Sequence, residues 1–169
     1  MIIVSPLHAV QGLVTSENVS HVVSLLSPSM TPPTLKVGAG RHLHLTMHDI
    51  DAPADGFLAP EAHHMETLIA FVEGWQPDAP LLVHCFAGIS RSTAAAYTAM
   101  CLLSEPGEEQ ALAAELRAQS PQATPNRRMV ALADDLLGRQ GRMVDAISAI
   151  GRGEEAMEGR IFSWRPRRA

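Results

Sequence analysis

The chain has 169 residues, is 46% hydrophobic and carries a formal net charge of -5, with a sequence pI near 5.9. That is one-domain length, with enough apolar content for a core that needs no disulfide or metal staple. The acidic balance argues against a general nucleic-acid binder. Only 4% of the residues are aromatic, so the core is expected to be aliphatic and alanine-rich. The two cysteines, Cys85 and Cys101, are too few for a disulfide scaffold and form no zinc-type pair. The opening Met1-Ile2-Ile3-Val4-Ser5-Pro6 lacks the basic region and long apolar run of a signal peptide. No window has the length of a membrane span. A reducing cytoplasm is the expected setting.

In chain order, Ile2 to Val4 is a short apolar strand, and His21 to Leu26 is a second, stopped by Ser27-Pro28. Residues 27 to 40, rich in Pro, Ser, Thr and Gly, read as a loop. His42 to Met47 alternates, with Leu43, Leu45 and Met47 on one face, as in a half-buried strand. Residues 49 to 58 read as another loop. Pro60 is expected to open a helix that carries Met65, Leu68, Ile69 and Val72 and ends near Gly74. Leu81 to His84 is a continuous apolar strand, suited to the centre of a sheet. Helices follow over 92 to 103 and 104 to 118. Thr124 is expected to cap a third helix that opens on Pro125 and ends at Gly138. Met143, Val144, Ile147 and Ile150 mark a last amphipathic helix. There is no internal repeat. Strands early, helices late and a strand-loop-helix at the centre predict an α/β fold, a small and mostly parallel central sheet flanked by helices. The expected organisation is a single domain over 1–160 and a basic tail over 161–169 that includes Arg165, Arg167 and Arg168.

The chemistry concentrates in His84-Cys85-Phe86-Ala87-Gly88-Ile89-Ser90-Arg91-Ser92. A loop curling into a helix N-terminus points several backbone N–H groups at one spot, and the helix dipole adds positive potential there. Residues 86 to 90 would form such a cradle for a tetrahedral dianion, with Gly88 allowing the sharp turn. The Arg91 guanidinium can grip two oxygens of that dianion at once. The same field favours the thiolate of Cys85, which makes it a nucleophile toward phosphorus.

This segment resembles the HCxxGxxR[ST] signature of the protein tyrosine and dual-specificity phosphatases. Two further stretches share the likeness: His21 to Leu26, similar to an early strand of the dual-specificity group, and Ser120-Pro121-Gln122-Ala123-Thr124-Pro125-Asn126, similar to a late RPxxxPN segment in which Ser120 replaces the usual Arg. The resemblance spans about residues 20 to 138, and the His48-Asp49-Ile50 stretch brings it nearest to a bacterial group of predicted tyrosine phosphatases. A single lysine, Lys36, among many arginines and alanines fits a GC-rich bacterial genome.

The resemblance implies a dual-specificity-like fold and a phosphomonoester hydrolase with a cysteinyl-phosphate intermediate. It implies neither metal nor organic cofactor. Cys85 is then the nucleophile and Arg91 the phosphate binder. Ser92 is the hydroxyl that assists the departing thiolate, His84 orients the Cys, and Asn126 braces the loop. The family also uses an Asp on an upstream loop as general acid. Asp49, Asp51 and Asp55 are in range; the alternating strand through Leu45 and Met47 favours Asp49, with Asp51 the alternative.

Expected partners are a phosphorylated protein or small phosphomonoester, with no nucleic acid and no membrane. Two other readings compete: a catalytically silent phosphate-binding module of the same fold, and a rhodanese-like sulfurtransferase, which also uses a loop Cys. His42, His44, His48, His63 and His64 surround Asp49 in sequence, but their spacing matches no standard zinc motif. Cys101 is expected in the core.

Overall fold

A computed structural model describes residues 1–166 of the chain. Four strands match the apolar runs: β1 (Ile2–Ser5), β2 (His21–Leu26), β3 (His42–Thr46) and β4 (Leu81–His84). They form a five-stranded sheet in the order β3-β2-β4-β1-β5, whose last member is a short strand, β5 (Phe162–Trp164). β1, β2, β3 and β4 are parallel, and only β5 runs antiparallel, on β1. The central strands are buried on both faces, which is why β2 and β4 read as mainly apolar runs without alternation. Because the four parallel strands share a direction, their C-terminal ends open on one edge. In such sheets that edge is where loops can build a site.

The helices are α1 (Val10–Ser16), α2 (Ala62–Glu73), α3 (Arg91–Leu102), α4 (Glu109–Gln119), α5 (Arg127–Leu136) and α6 (Arg142–Ile150). A small cluster of Ile3, Val10, Val14, Val19, Val22 and Leu82 seats α1 on one face of the sheet. The main core lies on the other face, around α3. Every residue of α3 from Arg91 to Cys101 is buried. Ala94, Ala95, Ala96 and Ala99 keep that helix thin enough to be surrounded, which accounts for a core so poor in aromatics.

Several boundaries differ from the sequence expectation, each for a local reason. Pro60 precedes α2 instead of opening it: Glu61 is the N-cap, and its backbone N–H donates to His64 Nδ1 at 3.0 Å in a capping box built with a histidine. The α5 cap is Asn126 and not Thr124; its side-chain oxygen accepts from the Met129 amide at 3.0 Å. Residues 104 to 108 form a turn, so α4 begins at Glu109. The segment expected to begin a basic tail at 161 instead supplies β5, with Phe162 and Trp164 buried. Arg167 and Arg168 lie outside the described residues. No helix among the described residues is long and apolar enough to cross a membrane.

Candidate active site

β4 ends at His84 and α3 begins at Arg91, so residues 85 to 90 bridge a strand C-terminus and a helix N-terminus within one tight loop. What shapes this loop is the fate of its carbonyls. The Phe86 oxygen accepts from the Leu7 amide at 3.0 Å, and the Ala87 oxygen from the Gly159 amide at 2.8 Å. The Ile89 oxygen accepts from the Thr124 amide at 2.9 Å and from the Thr93 hydroxyl; the Ser90 oxygen accepts from that hydroxyl at 2.9 Å and from the Asn126 amide at 3.4 Å. The Cys85 oxygen lies 3.2 Å from His84 Nδ1. The carbonyls of Phe86, Ala87, Ile89 and Ser90 are held outward by partners from other parts of the chain, and that of Cys85 by the neighbouring His84 ring. With no cis peptide in the described chain, the following N–H of each planar unit turns the opposite way, inward. The Gly88 amide already donates to Cys85 Sγ at 3.3 Å.

Cys85 is buried, and its sulfur also lies 3.2 Å from Ser92 Oγ, in the first turn of α3. Arg91 is 4% exposed. Its Nη1 donates to the Met47 carbonyl at 2.7 Å and to Ser27 Oγ at 3.2 Å, which fixes the guanidinium against the ends of β2 and β3. Its Nε has no hydrogen-bond acceptor and lies 3.7 Å from Asp49 Oδ2. A buried charged donor in that condition is costly unless an anion completes it.

Of the three upstream carboxylates, the fold brings Asp49 to the loop. Asp49 Oδ1 accepts from Ser90 Oγ at 2.6 Å and from Asn126 Nδ2 at 2.9 Å. Asp51 accepts instead from the Arg127 amide at 3.0 Å, at the N-terminus of α5. Asn126 joins both loops: its side chain also donates to the Ile50 carbonyl at 3.3 Å, while its amide reaches Ser90. A cavity of about 850 Å³ opens beside Asp49 and Ser90, with Ile89 and Ile147 in its lining and Arg127 and Arg152 among its charged groups. It flanks the outer wall of the loop; neither Cys85 nor Arg91 lines it. Phe86 is exposed at the rim.

His84 is fully buried, and burial lowers its pKa to about 4. Its Nε2 lies 2.6 Å from Ser24 Oγ. The unfolded chain therefore takes up a proton here that the folded chain resists. The resulting stability is fully present above the ordinary histidine value and is lost as pH falls from about 6.5 toward 4. For a fully buried ring the contribution is on the order of 3 kcal/mol. Urea titrations at pH 7.5 and 4.5 should show that loss, and His84→Gln should flatten the difference. An equal slope in the variant would assign the acid sensitivity elsewhere.

Cys101 is buried beside Tyr97, and burial pushes its thiol up to about 12. It lies nine residues beyond Ser92 on α3, about 13 Å along the axis, too far for a disulfide with Cys85. Of the histidines around Asp49 in sequence, His42 touches His44 and His63 touches His64, but no group of three or more His, Cys, Asp or Glu among the described residues is placed to hold a metal ion. Sequence reasoning missed Arg117, which donates to the carbonyls of Pro121, Ala123, Ile150 and Gly151 and so ties the segment before Asn126 to the end of α6. As a helix arginine it carries no signal of this in the sequence.

No family model matches the chain, and no curated protein matches its sequence. Solved structures do. The PTP-2 phosphatase of Cydia pomonella superposes with a TM-score of 0.60 at 23% identity, covering 79% of this chain and 84% of its own. The fold is that of the cysteine-dependent tyrosine and dual-specificity phosphatases. The same phosphatase fold is seen in a mouse putative dual specificity phosphatase (TM-score 0.58, 19% identity, 86% of each chain). It is seen again in the human tyrosine phosphatase-like serine/threonine/tyrosine-interacting protein (TM-score 0.59, 18% identity, 81% of this chain and 91% of that one).

Proposed function

We propose that the protein is a phosphomonoester hydrolase of the protein tyrosine or dual-specificity type, working through a cysteinyl-phosphate intermediate. One observation carries this reading. The carbonyls of Phe86, Ala87, Ile89 and Ser90 are held by partners outside the loop, and the Gly88 amide points at Cys85 Sγ beside a buried Arg91 Nε that lacks an acceptor. That arrangement suits a bound tetrahedral dianion and an attacking thiolate.

In the first step Cys85 Sγ attacks phosphorus. The bond to the leaving oxygen breaks, and Asp49 delivers the proton that oxygen needs. Arg91 and the amides of residues 86 to 91 take up charge on the equatorial oxygens. In the second step Asp49 removes a proton from water, water attacks phosphorus, and the S–P bond breaks. The Ser92 hydroxyl, 3.2 Å away, hydrogen-bonds the departing thiolate. Asn126 and the Ser90 hydroxyl position Asp49 for both transfers.

The loop holds no lysine, and the adjoining cavity carries Asp51, Glu154 and Glu155 beside its two arginines. This composition favours a phosphorylated protein or small phosphomonoester over a polyphosphorylated ligand.

The acid assignment has a direct test. With phosphotyrosine as substrate, Asp49→Ala should lower kcat by about 10²-fold or more, and Asp51→Ala should leave it near wild type. The deficit should shrink with p-nitrophenyl phosphate, whose leaving group departs without a proton. A silent Asp49→Ala with an impaired Asp51→Ala would reverse the assignment. Oxyanion binding without any turnover by the wild type would instead indicate a silent binding module. Thiosulfate turnover without phosphatase activity would indicate sulfur transfer.

A further inference from the structure

A line of polar side chains runs from the floor of the loop to the surface across three strands, β4, β2 and β3. Ser24 pairs in register with His84 on one side and with His44 on the other. His84 Nε2 lies 2.6 Å from Ser24 Oγ, Ser24 Oγ lies 2.8 Å from His42 Nε2, and His42 Nε2 lies 2.9 Å from His44 Nε2. Burial holds both His84 and His42 neutral, each with its pKa lowered to about 4.

Counting protons along this line leaves one arrangement. The Cys85 carbonyl has no hydrogen to give, so the 3.2 Å contact requires the proton on His84 Nδ1. His84 Nε2 is then bare and must accept from Ser24, which spends the only hydroxyl hydrogen. His42 must therefore carry its proton on Nε2 in order to donate to Ser24. A protonated His42 Nε2 cannot also accept, so His44 meets it with a bare Nε2 that shares the same hydrogen. Two neutral imidazoles, both tied to Ser24, thus hold opposite tautomers.

We propose that His42, held by His44 at the sheet surface, is a positioning residue for the nucleophile loop. It sets the direction of the Ser24 hydroxyl, and through it the His84 tautomer that pins the Cys85 carbonyl outward. The inference rests on Cys85 being the nucleophile of the proposed reaction. Without His42, Ser24 is free to accept from His84 Nε2–H. The Cys85 carbonyl then loses its donor, and the amide of Phe86 loses its fixed inward orientation.

The test uses the full chain with 15N-labelled histidine, reduced, at neutral pH. Long-range 1H–15N correlation spectra should show His84 as the Nδ1–H tautomer and His42 as Nε2–H. In His42→Leu, His84 should switch to Nε2–H and kcat/KM should fall roughly tenfold. In His42→Gln, whose amide can donate to Ser24, the His84 tautomer and most of the activity should return. Ser24→Ala should make the His42→Leu change silent. An Nε2–H signal for His84 in the wild type, or a His84 tautomer indifferent to His42→Leu, overturns the proposal. The spectra need no turnover. The expected tautomers in an inactive protein would sink the phosphatase reading and leave the network standing, and an active enzyme with the wrong tautomer would do the reverse.

Discussion

Cys85→Ser should abolish phosphatase turnover while leaving the loop able to bind a tetrahedral oxyanion. A thiol becomes a nucleophile once it loses its proton. A serine hydroxyl in the same place needs a general base. The groups on Cys85 Sγ are the Gly88 amide at 3.3 Å and the Ser92 hydroxyl at 3.2 Å, and neither is one. Turnover should fall on the order of 10⁴-fold or more. Binding should follow the opposite logic. The outward-held carbonyls, the inward amides and Arg91 are untouched by the exchange of sulfur for oxygen. Exchanging sulfur for a smaller, neutral hydroxyl should leave tungstate or vanadate affinity equal or tighter. Calorimetric titration with tungstate checks this beside a p-nitrophenyl phosphate assay. Residual turnover within tenfold of wild type would remove Cys85 from the reaction, and loss of oxyanion binding would mean that the sulfur holds the loop in shape.

Which parts of this site were legible in the sequence follows from what kind of group does the work. Cys85, Gly88, Arg91 and Ser92 are side-chain requirements at fixed spacing within one strand-loop-helix unit, so they can be read in line. Asp49 is reachable because the alternation of Leu43, Leu45 and Met47 fixes where β3 runs out. The sequence favours Asp49 but leaves Asp51 open two residues on, and in three dimensions the two part company: Ser90 meets one and the α5 N-terminus the other. The partners that turn the loop carbonyls outward were out of reach. Leu7, Thr124 and Gly159 contribute backbone amides, which every residue but proline has. β5 escaped because three residues give no period, and α1 because seven residues of mixed character fall below a readable helix. Ser24 did leave a trace, a polar residue inside the apolar run His21 to Leu26. A strand buried on both faces tolerates such a residue only with a partner, and here the partner is His84, the residue before Cys85.

Gly88→Ala should cost more stability than Gly138→Ala or Gly159→Ala, because it combines two penalties that those two positions present separately. Gly88 has φ +74, a conformation that L side chains rarely adopt, and a Cβ there would sit 2.7 Å from Pro6 N and 2.9 Å from the Ser5 carbonyl carbon. Both obstacles are backbone, at the end of β1, and cannot rotate aside. Gly138 shows the first penalty alone: φ +63 with nothing within 4 Å of its Cβ. Gly159 shows the second: an added Cβ would meet the Gly88 oxygen at 2.5 Å, without a positive φ. Gly138→Ala should cost about 1 kcal/mol and leave kcat unchanged. Gly159→Ala should cost about 1–3 kcal/mol through forced displacement of the loop. Gly88→Ala should exceed both, at about 3 kcal/mol or more, since relieving the clash means moving either β1 or the cradle. Whatever folds should also turn over poorly, because a shift of the Gly88 amide takes it away from Cys85 Sγ. Urea denaturation of the three variants, with kcat measured on each at a temperature where all are folded, separates the effects. If Gly88→Ala matches Gly138→Ala in both stability and turnover, the loop is not clamped against β1, and the pre-formed cradle on which the proposed chemistry depends is not there.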